Sequence, residues 1–443
     1  MRLTGKIVLP LVMLGSAAFS RAKELPVVPA DLANYVARAE PGFAWTVEDV
    51  REVGNVKAWR LKLTSQVWQG ITWSHDLLVV KPEGVATGKM LLLNEGGGAS
   101  MEKAMYAALL AGKIKAPVAM LLGVPNQPLF DGKKEDDLIA ETFVRYLDSG
   151  DASWPLLFPM VKSVVKAMDT LQEFSKKEWE APVEKFIVGG GSKRGWTTWL
   201  TAASDPRVMA ITPMVIDVLN MRHQLTHQQS SLGGVSNQIS PYTSRGLVPI
   251  PDTPRAESLW TMIDPWTYRD RFTMPKLIVL GNNDAYWSTD ALNLYWDALP
   301  GEKYISYTPN AGHDLTERDA AGKKLNADRA INNVSAFIRY QLSGKPLPKL
   351  GWKHGTQADG GLGLTVTAEP APREARLWVA RSDTRDFRKA RWESQAIALK
   401  EGEPVTASLV KPEKGFIAYY ADLGYEIDGL PQWLCTQMRV VGE

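Results

Sequence analysis

A mostly parallel β-sheet covered by helices on both faces is what this sequence predicts, and three observations predict it. First, short and nearly continuous apolar runs recur at 90–93, 118–122, 186–188, 211–218, 277–280 and 304–307. Strands buried on both faces have this texture, because neither side of the strand meets water. Second, helical stretches fall between these runs, at 101–111, 135–147 and 159–174. Alternation of apolar strands with helices is the pattern of α/β sheets. Third, Gly189-Gly190-Gly191-Ser192-Lys193-Arg194-Gly195 leads from one apolar run directly into Trp196-Thr197-Thr198-Trp199-Leu200. That is a strand, a tight glycine-lined turn and a helix. In such sheets chemistry gathers at the carboxyl ends of the strands.

From the N-terminus, residues 1–22 have the layout of a secretory signal peptide. Arg2 and Lys6 precede the apolar stretch 7–19, and Ser20-Arg21-Ala22 supplies small residues before Lys23. The stretch is short for a bilayer span and holds Pro10; an uncleaved anchor is the alternative. Cleavage after Ala22 removes Arg2, Lys6 and Arg21, so 51 basic residues become 48 against 49 acids. A balance so near neutrality argues against nucleic acid and against adhesion to anionic membranes. No later run is apolar enough for a transmembrane helix, so the mature chain is expected to be periplasmic or secreted, without a stable membrane anchor. The lone Cys435 permits no internal disulfide and removes thiol catalysis and cysteine-rich metal sites.

Residues 45–82 alternate apolar with polar and predict antiparallel strands exposed on one side. The covered sheet follows, giving one large domain over 23–342. Between the strand ending near Val218 and the one beginning at Lys276 lies a segment rich in Gln, Ser, Gly and Pro. This segment, 219–275, reads as a lid or substrate-binding insertion. Beyond a linker at 343–348 the helical period vanishes. Strand-like runs at 362–368, 375–380, 405–410, 415–422 and 435–441 suggest a small β-sandwich-like domain over 350–443.

The glycine-lined turn fits the nucleophile elbow of the α/β-hydrolase fold, where a serine is raised above the sheet. The fit to G-x-S-x-G is imperfect, since Arg194 takes the second glycine position and Gly195 follows one place late. A turn that binds phosphate, or nothing, is the competing reading; the absence of Gly-Lys-Ser/Thr excludes a P-loop. A serine nucleophile needs a base and a carboxylate to orient it, in chain order Ser, Asp, His. His313, in Pro309-Asn310-Ala311-Gly312-His313, follows the last apolar strand and is the candidate base. Asp284, just past the strand at 277–280, is the candidate acid, with Asp217 as its rival. Asp314, adjacent in chain to His313, is poorly placed to face it. His75 and His354 read as structural. His223 and His227 share a helical face, but Gln224 stands where a metalloprotease motif needs glutamate; no metal or cofactor is expected. Oxyanion donors are expected from the backbone of Lys193 and from the loop Gly96-Gly97-Gly98. Arg194, Trp196, Tyr286 and Trp287, with Lys193, hint at a polar or anionic substrate bearing a stackable ring.

Three blocks carry a family resemblance. They are Gly191-Ser192-Lys193-Arg194-Gly195-Trp196-Thr197-Thr198-Trp199-Leu200 with Asp205-Pro206-Arg207, then Asn283-Asp284-Ala285-Tyr286-Trp287 with Asp290-Ala291-Leu292-Asn293-Leu294-Tyr295-Trp296, and Pro309 to His313. With them the chain resembles the PhoPQ-activated pathogenicity-related proteins, a group that includes autocrine proliferation repressors of a social amoeba. The resemblance implies an α/β-hydrolase fold with a β-rich C-terminal portion and supports export; the insertion read above then follows the sixth strand. It supplies no substrate. Two functions follow as expectations: a serine hydrolase acting on an ester or amide of a small molecule or peptide, or a catalytically silent binding or signalling protein linked to virulence.

Overall fold

Arg60 and Lys62 alternate with Trp59, Leu61 and Leu63, and the alternation becomes one strand of an antiparallel trio. The computed structural model describes residues 28–443; the expected signal peptide, 1–22, lies outside the described residues. After the short helix α1 (Asp31–Ala37) come β1 (Ala44–Val53), β2 (Val56–Trp68) and β3 (Ile71–Pro82). β3 then pairs antiparallel with β5 (Val118–Leu121), Leu77 opposite Leu121. Beyond it the sheet is parallel, in the order β5, β4 (Lys89–Asn94), β6 (Lys185–Gly191), β7 (Val208–Met214), β8 (Lys276–Gly281) and β9 (Lys303–Thr308). Because β4 and β5 exchange places, the loop leaving Asn94 stands beside the loop leaving Gly191.

The side-chain period of two divides the sheet between two cores. Leu91 and Leu93 point toward α2 (Met101–Ile114) and α9 (Asp328–Ser343). Met90 and Leu92 join the core that holds α3 (Glu135–Ser149), α4 (Leu157–Glu178) and α5 (Lys193–Ser204). With helices on both faces, a parallel centre and the β4/β5 exchange, this is the α/β-hydrolase fold. The insertion folds as α6 (Met221–Leu232), α7 (Ser240–Thr243) and α8 (Pro254–Ile263) with short 3-10 turns. The apolar run 211–218 does not stay a strand to its end. Val215 takes φ +46°, which ends β7 and turns Ile216 and Val218 toward the site.

In the C-terminal portion β10 (Lys349–Thr356), β11 (Leu362–Glu369) and β14 (Val405–Leu409) form a three-stranded sheet. It faces a larger layer of β12 (Glu374–Ser382), β13 (Glu393–Ile397), β15 (Phe416–Ile427), β16 (Leu430–Cys435) and β17 (Arg439–Gly442). Leu364 and Val366 share a core with Leu377, Ile417 and Tyr419 across the gap. The larger layer is not free-standing: β16 meets β9 antiparallel at Cys435 opposite Ile305, so it extends the central sheet. A buried ion pair between Arg329 of α9 and Asp422 of β15 adds a second tie. The change near residue 350 is one of sequence texture and not a break in the sheet.

Candidate active site

All the residues singled out by their chain order stand at the carboxyl edge of the parallel strands. At the end of β6 the backbone folds back sharply into α5. A Cβ on Gly190 would sit 2.6 Å from the Asn94 amide nitrogen and 2.7 Å from the Arg194 carbonyl. One on Gly195 would sit 2.6 Å from Ile216 and 2.9 Å from the Gly190 carbonyl. The displaced glycine therefore does the packing that Arg194 cannot. Ser192 between them holds φ +56° and ψ −127°, a conformation costing on the order of 1–3 kcal/mol for a residue with a side chain. Its N–H donates to the Met214 carbonyl at 2.8 Å, pinning the strained residue to β7. Buried Asn94 braces the turn, its side-chain amide lying 2.8 Å from the Gly189 carbonyl and 3.1 Å from Thr198 Oγ1.

Asp284 lies in the turn after β8 and His313 in the loop after β9. His313 Nδ1 is 2.8 Å from Asp284 Oδ2, and the Tyr286 N–H donates to Oδ1 at 2.9 Å. A carboxylate at Nδ1 keeps the proton there and leaves Nε2 as the acceptor. The Tyr286 ring stacks on the imidazole, with centroids 4.4 Å apart and planes 32° apart. The rival acid is elsewhere: Asp217 is buried, accepts the Tyr295 hydroxyl at 2.5 Å and does not bond His313. Burial pushes its carboxyl up to about 7. Asp314 turns to Arg318 and Lys324.

Ser192 and His313 line one cavity of about 80 Å³, with Trp196, Met221, Leu225, Trp260, Tyr286 and Trp287 among its walls. Met221, Leu225 and Trp260 come from the insertion, which thus roofs the pocket. Asp264 holds the roof together, accepting N–H groups of Asn220, Met221 and Trp266 at 3.2, 2.8 and 2.9 Å. Burial nevertheless pushes its carboxyl up to about 7.

The two cations after the serine are both ion-paired; Lys193 lines the serine's pocket, whereas Arg194, named as a hint of an anionic substrate, does not. The Arg194 guanidinium grips Glu135 with two bonds of 2.6 and 2.7 Å and donates Nε to the Val124 carbonyl at 2.5 Å. It is buried outside the walls of the serine's pocket. Lys193 Nζ lies 3.2 Å from Glu135 and 3.1 Å from Asp136. Burial pushes the Glu135 carboxyl up, but Arg194, Gln127 and Lys193 outweigh it and hold it down at about 2. The glycine loop also has a second reason to be bare: a Cβ on Gly96 would collide with the Arg194 guanidinium. Gly97 takes φ +66°. Neither these two nor Gly98 is among the walls of the pocket.

The sequence did not single out Asp136. It lines the pocket and accepts the Tyr242 and Tyr286 hydroxyls at 3.1 and 3.2 Å. Its only signal was an acidic run opening a helix, which ordinarily just complements the helix dipole. Three of the other histidines are engaged locally. His227 bonds Asp290 at 2.6 Å, His223 bonds Asn220, and His75 is buried between Ser65 and two backbone carbonyls. Burial lowers His75 and His354 to about 4. Among the described residues no group of three or more His, Cys, Asp or Glu could hold a metal ion.

Autocrine proliferation repressor protein A of Dictyostelium discoideum is 29% identical over 434 residues, covering 89% of this chain and 85% of that protein. Among solved structures, acetyl xylan esterase 1 from Thermoanaerobacterium sp. JW/SL YS485 aligns over 64% of this chain and 89% of its own at 16% identity and TM-score 0.47. An S-formylglutathione hydrolase from Agrobacterium tumefaciens aligns over 68% and 98% at 14% identity and TM-score 0.42. Scores this low are likenesses, and nothing in the site rests on them. The sequence model of one family spans residues 32–388, a stretch that holds Ser192, Asp284 and His313 together. The chain belongs to the PhoPQ-activated pathogenicity-related protein family.

Proposed function

We propose that this protein is an exported serine hydrolase that cleaves an ester or amide through Ser192, His313 and Asp284. His313 Nε2 takes the hydroxyl proton as Ser192 Oγ attacks the acyl carbon. Asp284 keeps the imidazole in the required tautomer and steadies its positive charge. The Lys193 N–H, in the first turn of α5 where amides lack intrahelical acceptors, receives the oxyanion. His313 returns the proton to the leaving group as its bond to the acyl carbon breaks, and water then releases the acid by the same route. The observation that carries this reading is the 2.8 Å bond between His313 and Asp284, formed beside a strained serine in an apolar pocket.

One water needs about 10–15 Å³ of such space, so about 80 Å³ suits a short acyl group such as acetyl to butyryl. Export rests on the layout of residues 1–22, and N-terminal sequencing of the mature protein should begin at Lys23. The decisive assay is hydrolysis of short-chain aryl esters by wild type, Ser192→Ala and His313→Ala. A loss of roughly 10⁶-fold in kcat is expected for each variant; turnover equal to wild type in Ser192→Ala would sink the reading. The name of the Dictyostelium relative favours a second reading, a signalling protein without turnover. It prevails if Ser192→Ala keeps the biological effect and wild type hydrolyses nothing.

A further inference from the structure

His313 lines two cavities. One is the apolar pocket it shares with Ser192; the other, of about 530 Å³, lies against Arg318, Asp319, Arg388, Lys389 and Arg391. The second is basic in composition, and its charge is not cancelled locally in the way the elbow's is. Arg318 pairs with Asp314, and Arg388 with Asp386. The Arg391 guanidinium, however, donates among the described residues only to the carbonyls of Arg318 and Asp319 at 3.0 and 2.9 Å, acceptors that carry no net charge. Exposed Lys389 has no ion-pair partner among the described residues. Lys389 and Arg391 thus form no ion pair among the described residues, with Asp319 in the groove and Asp386 near Lys389 as the acids at hand.

The wall of this groove is built into the site. The segment 386–392, between β12 and β13, comes from the C-terminal portion. Asn283, next to Asp284, donates its side-chain amide to the Ala390 carbonyl at 2.7 Å. Asn310, in the loop of His313, exchanges two 2.9 Å bonds with the Trp392 backbone. The loops that present the acid and the base therefore each hold one end of the cationic segment.

We propose that this groove receives the leaving-group half of the substrate, and that this half carries an anion such as a carboxylate. The inference rests on the serine hydrolase reading above. In that chemistry the histidine hands its proton to the departing group, so that group lies on the imidazole's side of the serine. The apolar pocket takes the acyl half. A guanidinium and an ammonium without ion-pair partners beside the imidazole favour an anionic alcohol and disfavour a cationic one. The C-terminal portion then contributes to specificity directly.

The test compares 4-acetoxybenzoate with phenyl acetate, each consuming one water and yielding acetate plus 4-hydroxybenzoate or phenol. The ratio of kcat/KM, anionic ester over neutral ester, is measured for wild type, Lys389→Glu and Lys389→Glu/Arg391→Glu. The ratio should fall about tenfold in the double variant and by less in Lys389→Glu, and the fall should shrink at high salt. A ratio that stays at the wild-type value in both variants overturns the proposal. Calorimetric binding of 4-acetoxybenzoate to Ser192→Ala, with and without the two charge reversals, reads the groove without turnover. A dissociation constant raised about tenfold by the reversals is expected; an unchanged one counts against the groove. If wild type hydrolyses neither ester and Ser192 takes no fluorophosphonate while binding still responds to the reversals, the hydrolase reading fails and the anion site stands.

Discussion

Two basic clusters flank His313, and they differ in what surrounds them. Lys193 and Arg194 at the elbow are buried and closed off by Glu135 and Asp136. Lys389 and Arg391 on the C-terminal segment are exposed, with only carbonyls for company on Arg391. The first cluster ties the start of α3 to the start of α5. The second keeps its field. Position beside a nucleophile is thus a poor guide to substrate charge, and the counter-ions decide.

The largest effect expected from this contrast is on stability. Arg194→Ala leaves Glu135 without its guanidinium and the Val124 carbonyl without its donor, and should cost about 2–4 kcal/mol. Lys389→Ala should cost less than about 0.5 kcal/mol, as for an exposed side chain without partners. Thermal unfolding of the two variants checks this, and equal shifts would erase the distinction between sealed and open clusters.

Behind the acid of the site lies Asp217, whose carboxyl burial raises from 3.8 to about 7. A carboxyl with a raised folded pKa contributes stability that is fully present below its unfolded pKa and lost as pH rises through the folded one. Asp217→Asn keeps an acceptor for Tyr295 and removes that loss. The variant should therefore gain on wild type as pH rises from about 4 through 7, read as a widening gap in Tm. Asp264 titrates in both proteins and cancels from the difference. A gap that narrows over that range would mean the carboxylate form is the one the fold favours.

A smaller effect is expected at the seam between the two regions. Tyr286→Phe keeps the ring stacked on His313 but loses the hydroxyl bond to Asp136. With the Tyr286 N–H still on Asp284, kcat should fall only a few-fold, whereas Tyr286→Ala should fall much further. Equal losses in the two would assign the effect to the hydroxyl instead of the stack.

The elbow could be read from the sequence because its backbone demands residue types. Gly190 and Gly195 leave no room for a Cβ, and the order of Ser192, Asp284 and His313 follows from strand order alone. The preference for Asp284 over Asp217 agrees with the geometry for the same reason, since only Asp284 stands on the loop beside β9. What failed to show were partners distant in chain. Glu135 and Asp136 open a helix, where acids ordinarily just complement the dipole, and nothing in the sequence ties them to Lys193 and Arg194. The loop 386–392 sat within β-rich texture with nothing to tie it to His313. Strands β10 and β13 gave little signal because their residues are mostly half-buried or exposed. The strand expected to reach Val218 ends at Met214 because Val215 adopts a positive φ, a backbone choice that hydrophobicity does not encode.

The most direct measurement is reaction of the mature protein with a fluorophosphonate, followed by peptide mass mapping. Expected is a single adduct on Ser192, absent in Ser192→Ala and formed far more slowly in His313→Ala. An unmodified Ser192 in the folded wild-type protein, or an adduct that persists undiminished in Ser192→Ala, would contradict the assignment of this serine as the nucleophile.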